Sequence, residues 1–266
     1  MKINFPVFFR LSIVFAFICL LYTQVPNSTN IWVQTVYLIL PIIATVSGLF
    51  LVKIYGLDNT NGRSTLFLTL GLGCWVIGEL IWYVLKNFLG IAPFPSVADT
   101  FFVLGYPFLF YGLYVRVKVM FSAIKNISTL YLFGYVLLML VLSVVVFYYG
   151  IYRAYDSEAT LFENFFGLAY GVGDLFLIVG AAFSVLLVQV YKGGKFAKFS
   201  LIFMIGFLFF LLADIAFAIY RYQYELDLKP YVYIDFLWLL GYFFFAYGFL
   251  DQYYSFRKLR EKIRLI

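Results

Sequence analysis

The chain has 266 residues, of which 65% are hydrophobic and 12% charged, with a mean hydropathy of +0.97. Soluble domains keep about a quarter of their residues charged, so this composition excludes a water-facing catalytic or nucleic-acid-binding domain and points to a single polytopic membrane domain over residues 1–266. A count of 0 histidines excludes histidine-ligated metal, a Ser-His dyad and an imidazole relay, and no cofactor or metal is expected.

Apolar runs of spanning length fall at 5–23, 31–54, 64–89, 96–120, 128–152, 161–191, 199–222 and 230–255, which predicts an all-α integral membrane protein with eight transmembrane helices. The first run has charges at Lys2 and Arg10 and no small-x-small cleavage site after it, so it reads as a span and not as a signal peptide. Cys19 and Cys74 lie inside apolar stretches, as small buried hydrophobes do. The net charge of +6 is an orientation signal before it is a nucleic-acid footprint. Fifteen basic residues, from Lys2 and Arg10 through Arg116, Lys192, Lys195 and Lys198 to Arg264, fall on one side, against Lys86, Arg153, Arg221 and Lys229 on the other. That asymmetry predicts a cell-membrane protein with cytoplasmic N- and C-termini, bilayer lipid as partner, and no nucleic acid. The acidic connections, with Asp156, Glu158, Glu163, Glu225 and Asp227, and the sequon at Asn27 then face outward; a second sequon at Asn126 faces inward. The tail 251–266 interleaves Arg257, Lys258, Arg260, Lys262 and Arg264 with apolar residues, a pattern suited to headgroups and to a cytoplasmic signalling partner.

The chain repeats itself. Glu79 is followed by Lys86 at +7 and Asp99 at +20; Asp214 is followed by Arg221 at +7 and Asp235 at +21. Beyond each second acid, Gly105, Tyr106, Tyr111 and Gly112 match Gly241, Tyr242, Tyr247 and Gly248. Helices 3-4 and 7-8 therefore read as parallel hairpin repeats, with a weaker copy in helices 5-6 marked by Glu163, Ala169 and Tyr170.

A carboxylate at membrane depth costs at least about 2.5 to 3.5 kcal/mol, so each such residue must face a partner, a cavity or the bundle interior. Glu79, Asp99, Asp174, Asp214 and Asp235 qualify, and span counting places them in the outer half. The +7 spacing predicts ion pairs of Lys86 with Glu79 and Asp99, and of Arg221 with Asp214 and Asp235. Asp174 has Ala181 where such a base would stand and is the acid best suited to a ligand cation or a proton. The expected site is an outward-opening pocket between the hairpins and helix 6, lined by the five acids with Tyr106, Tyr170 and Tyr242. The tyrosines and Trp75, Trp82 and Trp238 fit an interfacial belt or the wall of that pocket. No lysine sits at mid-span, where retinal would need one.

Gly171-Val172-Gly173-Asp174 resembles the Gly-x-Gly-Asp tetrapeptide around one catalytic aspartate of intramembrane aspartyl proteases. Such enzymes need a second aspartate facing the first; the Tyr155-Asp156 pair stands in a loop, and no catalytic residue is assigned. Over helices 3 to 8, the runs Pro93 to Pro107, Leu168 to Leu177, Ala213-Asp214 and Asp235 to Tyr242 resemble the multi-helix membrane sensor regions found ahead of diguanylate cyclase and histidine kinase modules. The resemblance implies a ligand- or stimulus-sensing module. No cyclase or kinase follows Asp251, so it also implies a stand-alone module that signals to a separate partner. A small proton- or cation-coupled transporter is the alternative that parallel repeats and midplane acids also suit; it would need discontinuous helices, for which Pro41, Pro107 and the glycines near 171 are the candidates.

Overall fold

The computed structural model describes residues 4–24, 31–91, 94–118, 127–152, 155, 157–190 and 195–264. Every regular element among them is helical, and eight helices are long and apolar enough to cross a membrane. They are α1 (Phe5–Gln24), α2 (Ile31–Tyr55), α3 (Thr60–Leu89), α4 (Val97–Lys118), α5 (Thr129–Tyr152), α6 (Leu161–Val190), α7 (Lys195–Glu225) and α8 (Asp235–Arg264). The sequons at Asn27 and Asn126, together with Lys2, Arg153, Asp156 and Lys192, lie outside the described residues, as do the side chains of Lys195 and of the tail from Leu259 onward.

Local chemistry sets the helix starts. Asn59 caps α3 by accepting a hydrogen bond from the Gly62 amide at 2.8 Å, which starts that helix four residues before its apolar run. Ser96 and Asp99 form a reciprocal cap on α4: the Ser96 amide donates to Asp99 Oδ2 at 2.6 Å and the Ala98 amide donates to Ser96 Oγ at 3.1 Å. Thr160 and Glu163 do the same for α6. Helix α2 breaks at Leu38, three residues before Pro41, whose missing N–H removes a rung of the hydrogen-bond ladder. Pro107 and the glycines near 171 lie within unbroken helices, so of the expected discontinuities only the one at Pro41 forms.

With helices alternating in direction, the connecting residues 90–91, 94–96, 157–160 and 226–234 share one end of the bundle, here the acidic end; the connection at 56–59 and the described terminal residues share the opposite, basic end. The most extensive pairings are α3 with α4 and α7 with α8, while α6 bridges α4 and α7 and α2 packs on both α3 and α8. Helix α8 is the core element, with 61% of its span buried; α5 is peripheral, with 11%. Glycines permit the close hairpin crossings. A Cβ on Gly105 would stand 2.4 Å from Trp75 Nε1 and 3.1 Å from the Gly71 carbonyl oxygen; one on Gly241 would stand 2.3 Å from Phe210 Cδ2 and 3.1 Å from the Gly206 carbonyl oxygen. Trp75 and Phe210, four residues before Glu79 and Asp214 respectively, stack on each other with centroids 4.4 Å apart.

Candidate functional site

One cavity of about 430 Å³ opens between these hairpins and α6. Glu79, Asp99, Asp174, Asp214 and Asp235 all line it, from five different helices, with Tyr106 and Tyr170 beside them. Tyr242 stands behind the wall, fully buried, and reaches in through its hydroxyl. Trp75, Trp82 and Trp238 are wall residues as well, so the aromatics near the acids belong to the pocket.

The acids take their hydrogen bonds from aromatic side chains. Glu79 Oε1 accepts from Tyr37 at 3.3 Å and from Tyr242 at 3.2 Å. Asp99 Oδ1 accepts from Tyr170 at 2.6 Å, and its other oxygen caps α4. Asp235 accepts from Tyr224 at 2.7 Å. Asp214 accepts from Trp238 Nε1 at 2.7 Å and lies 3.3 Å from the Tyr106 hydroxyl, which is only 2.8 Å from Asp174 Oδ1. Tyr106 therefore has one hydrogen for two carboxylates. Asp174 is 2% exposed, and its Oδ2 accepts no hydrogen bond.

The expected ion pairs do not form. Lys86 bonds to Asp227 at 2.9 Å, and Arg221 lies 3.9 Å from Glu163 and 4.0 Å from Glu225. The cause is a break in helical register immediately before each base. Helix α3 widens to a π turn at Leu85–Leu89, and Tyr220 in α7 is non-helical at φ −116°, ψ 20°. A +7 offset no longer returns a side chain to the same face once the ladder changes. Both bases cross to the other hairpin instead, Lys86 toward the Tyr224 ring at 5.9 Å and Arg221 over the Phe94 ring at 5.2 Å. They line the cavity as well, but their ion pairs are with Asp227, Glu163 and Glu225 and not with the acids they were expected to neutralise.

Comparison of the chain with protein-family models, curated proteins and solved structures finds no match. The site therefore stands on its geometry. Among the described residues, no group of three or more acidic or cysteine side chains is arranged to hold a metal ion. Two basic residues counted as orientation signals prove to be internal. Lys198 is buried against Asp251 at 2.5 Å, and Arg116 is buried with its guanidinium over Phe199 at 4.0 Å. Tyr55 adds a hydrogen bond to Gln252, so the basic end of α8 is held by α7 and α2. Asp251, an acid within the last apolar run, is the sequence signal that could have revealed the Lys198 pair.

Proposed function

We propose that this chain is the ligand-binding module of a multi-helix membrane sensor, inserted in the cell membrane with both termini cytoplasmic and the cavity opening outward. The observation that carries the reading is that five acids from five helices line one cavity and meet aromatic donors there, while both neighbouring bases pair with other acids. Acids kept only to lock hairpins would sit against their bases; acids facing a cavity are available to a ligand.

The hairpins α3–α4 and α7–α8 are parallel repeats in this reading. The matched glycine crossings, the Trp75–Phe210 stack and a reciprocal exchange support it: Tyr106 of the first hairpin reaches Asp214 of the second, while Tyr242 of the second reaches Glu79 of the first. A ligand touching both faces changes the angle between hairpins. Helix α8 carries Asp235, Trp238 and Tyr242 at the site and runs to Arg264, so it transmits that change toward a cytoplasmic partner.

Water access to the cavity tests the reading. With Cys19→Ser and Cys74→Ala removing the native thiols, Ala218→Cys on the cavity wall should react with a membrane-impermeant thiol reagent added outside intact cells. An Ala218→Cys that is inert from outside while reactive after solubilisation would contradict it.

A second reading has one observation in its favour. Asp174, in its Gly-x-Gly-Asp setting, does face a second aspartate, Asp214 on the following helix, through Tyr106. Aspartyl proteolysis would place water where the Tyr106 hydroxyl stands. Cleavage of a membrane-embedded reporter peptide that disappears with either Asp174→Asn or Asp214→Asn would favour this second reading.

A further inference from the structure

Resting on the ligand-binding reading above, we infer that the cavity takes a protonated primary or secondary amine with an apolar body, anchored where Asp174 and Asp214 share Tyr106. Charge gives the sign of the ligand. Six carboxylates line the cavity, Glu79, Asp99, Glu163, Asp174, Asp214 and Asp235, against two bases, Lys86 and Arg221. Both bases are already engaged by Asp227, Glu163 and Glu225. A cation offsets the desolvation cost of ionising a buried acid, and an anion finds no unengaged base on this wall.

Hydrogen bonding gives the headgroup. Asp174 Oδ2 is buried, lies on the cavity wall and has no donor, and the lone Tyr106 hydrogen cannot serve Asp174 and Asp214 together. Asp174 and Asp214 also contact each other, so without a ligand this corner is served only by the Tyr106 hydrogen, the Trp238 N–H and a proton held between the two acids; a positively charged N–H donor can take that proton's place. A protonated amine supplies several. A quaternary ammonium satisfies the aromatic faces but has no hydrogen to donate. A metal ion would need converging ligands, and among the described residues no such group of three exists. Trp75, Phe102, Phe210, Leu211 and Ile215 give the wall an apolar stretch beside its tyrosines and glutamines, and about 430 Å³ falls in the size range of small-molecule pockets. The body of the amine is therefore hydrophobic.

The full chain in lipid nanodiscs, followed by calorimetry and by fluorescence of the cavity tryptophans, tests this with matched probes: phenethylamine against phenethyl alcohol and phenethyltrimethylammonium, and hexylamine against hexanol. Each amine should bind at least about tenfold more tightly than its alcohol, and phenethylamine similarly more tightly than its trimethyl analogue. Asp174→Asn should abolish that preference, while Asp58→Asn, at an exposed acid in the connection at the opposite end of the bundle, should keep it. Equal binding of amines and alcohols, or a preference that survives Asp174→Asn, overturns the amine inference and leaves the cavity a ligand site. Absence of amine binding also overturns it, and if Ala218→Cys is inert from outside as well, the reading beneath it falls too.

Discussion

The two faces of the cavity present the same arrangement with opposite donor balances. On one face a single carboxylate, Glu79, accepts from two tyrosines, Tyr37 and Tyr242. On the other, two carboxylates, Asp174 and Asp214, depend on one tyrosine, Tyr106, and one indole, Trp238. Tyr106 and Tyr242 occupy matched positions, as do Glu79 and Asp214, whereas Trp238, which donates to Asp214, has Phe102 as its counterpart. The helices outside the hairpins add the larger part of the difference. Helix α2 contributes a hydroxyl through Tyr37 to one face, and α6 contributes an acid through Asp174 to the other. A cavity gains direction when one neighbouring helix brings a donor and another brings an acceptor short of a donor.

Substitutions at matched positions can break or sharpen this comparison. The largest effect is expected at the crossings. Gly105→Ala and Gly241→Ala each drive a methyl group into a ring and toward a carbonyl oxygen, and each should lower unfolding stability in detergent by about 3 kcal/mol. Markedly unequal losses would mean that the two frames are not equivalent.

Next in size is the loss of a hydroxyl. Tyr106→Phe strips a donor from two buried acids and should cost about 2 kcal/mol; Tyr242→Phe leaves Tyr37 on Glu79 and should cost about 1 kcal/mol. Equal costs would erase the contrast between the faces. The smallest effect has opposite signs on the two sides. Asp174→Asn supplies an N–H beside Asp214, so it should raise thermal stability by about 1 kcal/mol, whereas Glu79→Gln brings an N–H to a position already served by two tyrosine donors and should lower it by a similar amount. A stability loss on Asp174→Asn would show that its carboxylate is already served.

The eight helices were legible because spanning a bilayer demands long apolar runs, and the structure has eight such helices among its described residues. The approach of Glu79, Asp99, Asp214 and Asp235 was legible from their matched spacing, since charged residues are rare in apolar helices. Their partners were not. The +7 rule assumes an unbroken α ladder, and both ladders change just before Lys86 and Arg221, through the π turn at Leu85–Leu89 and the distortion at Tyr220. No spacing rule links Asp174 on α6 to Asp214 on α7, because helix rotation and packing decide that approach. Arg116 and Lys198 resembled orientation charges by position, yet the packing of α7 and α8 encloses both.

Pairwise coupling energies measure the donor imbalance most directly. Double-mutant cycles by unfolding in mixed micelles, pairing Tyr106→Phe with Asp174→Asn and with Asp214→Asn, and Tyr242→Phe with Glu79→Gln and with Asp235→Asn, separate each contact from its surroundings. The account predicts that Tyr106 couples to both of its acids by about 0.5 kcal/mol or more, and that Tyr242 couples to Glu79 and to no second acid. Coupling of Tyr106 to Asp174 or Asp214 alone would contradict a hydroxyl shared between two carboxylates.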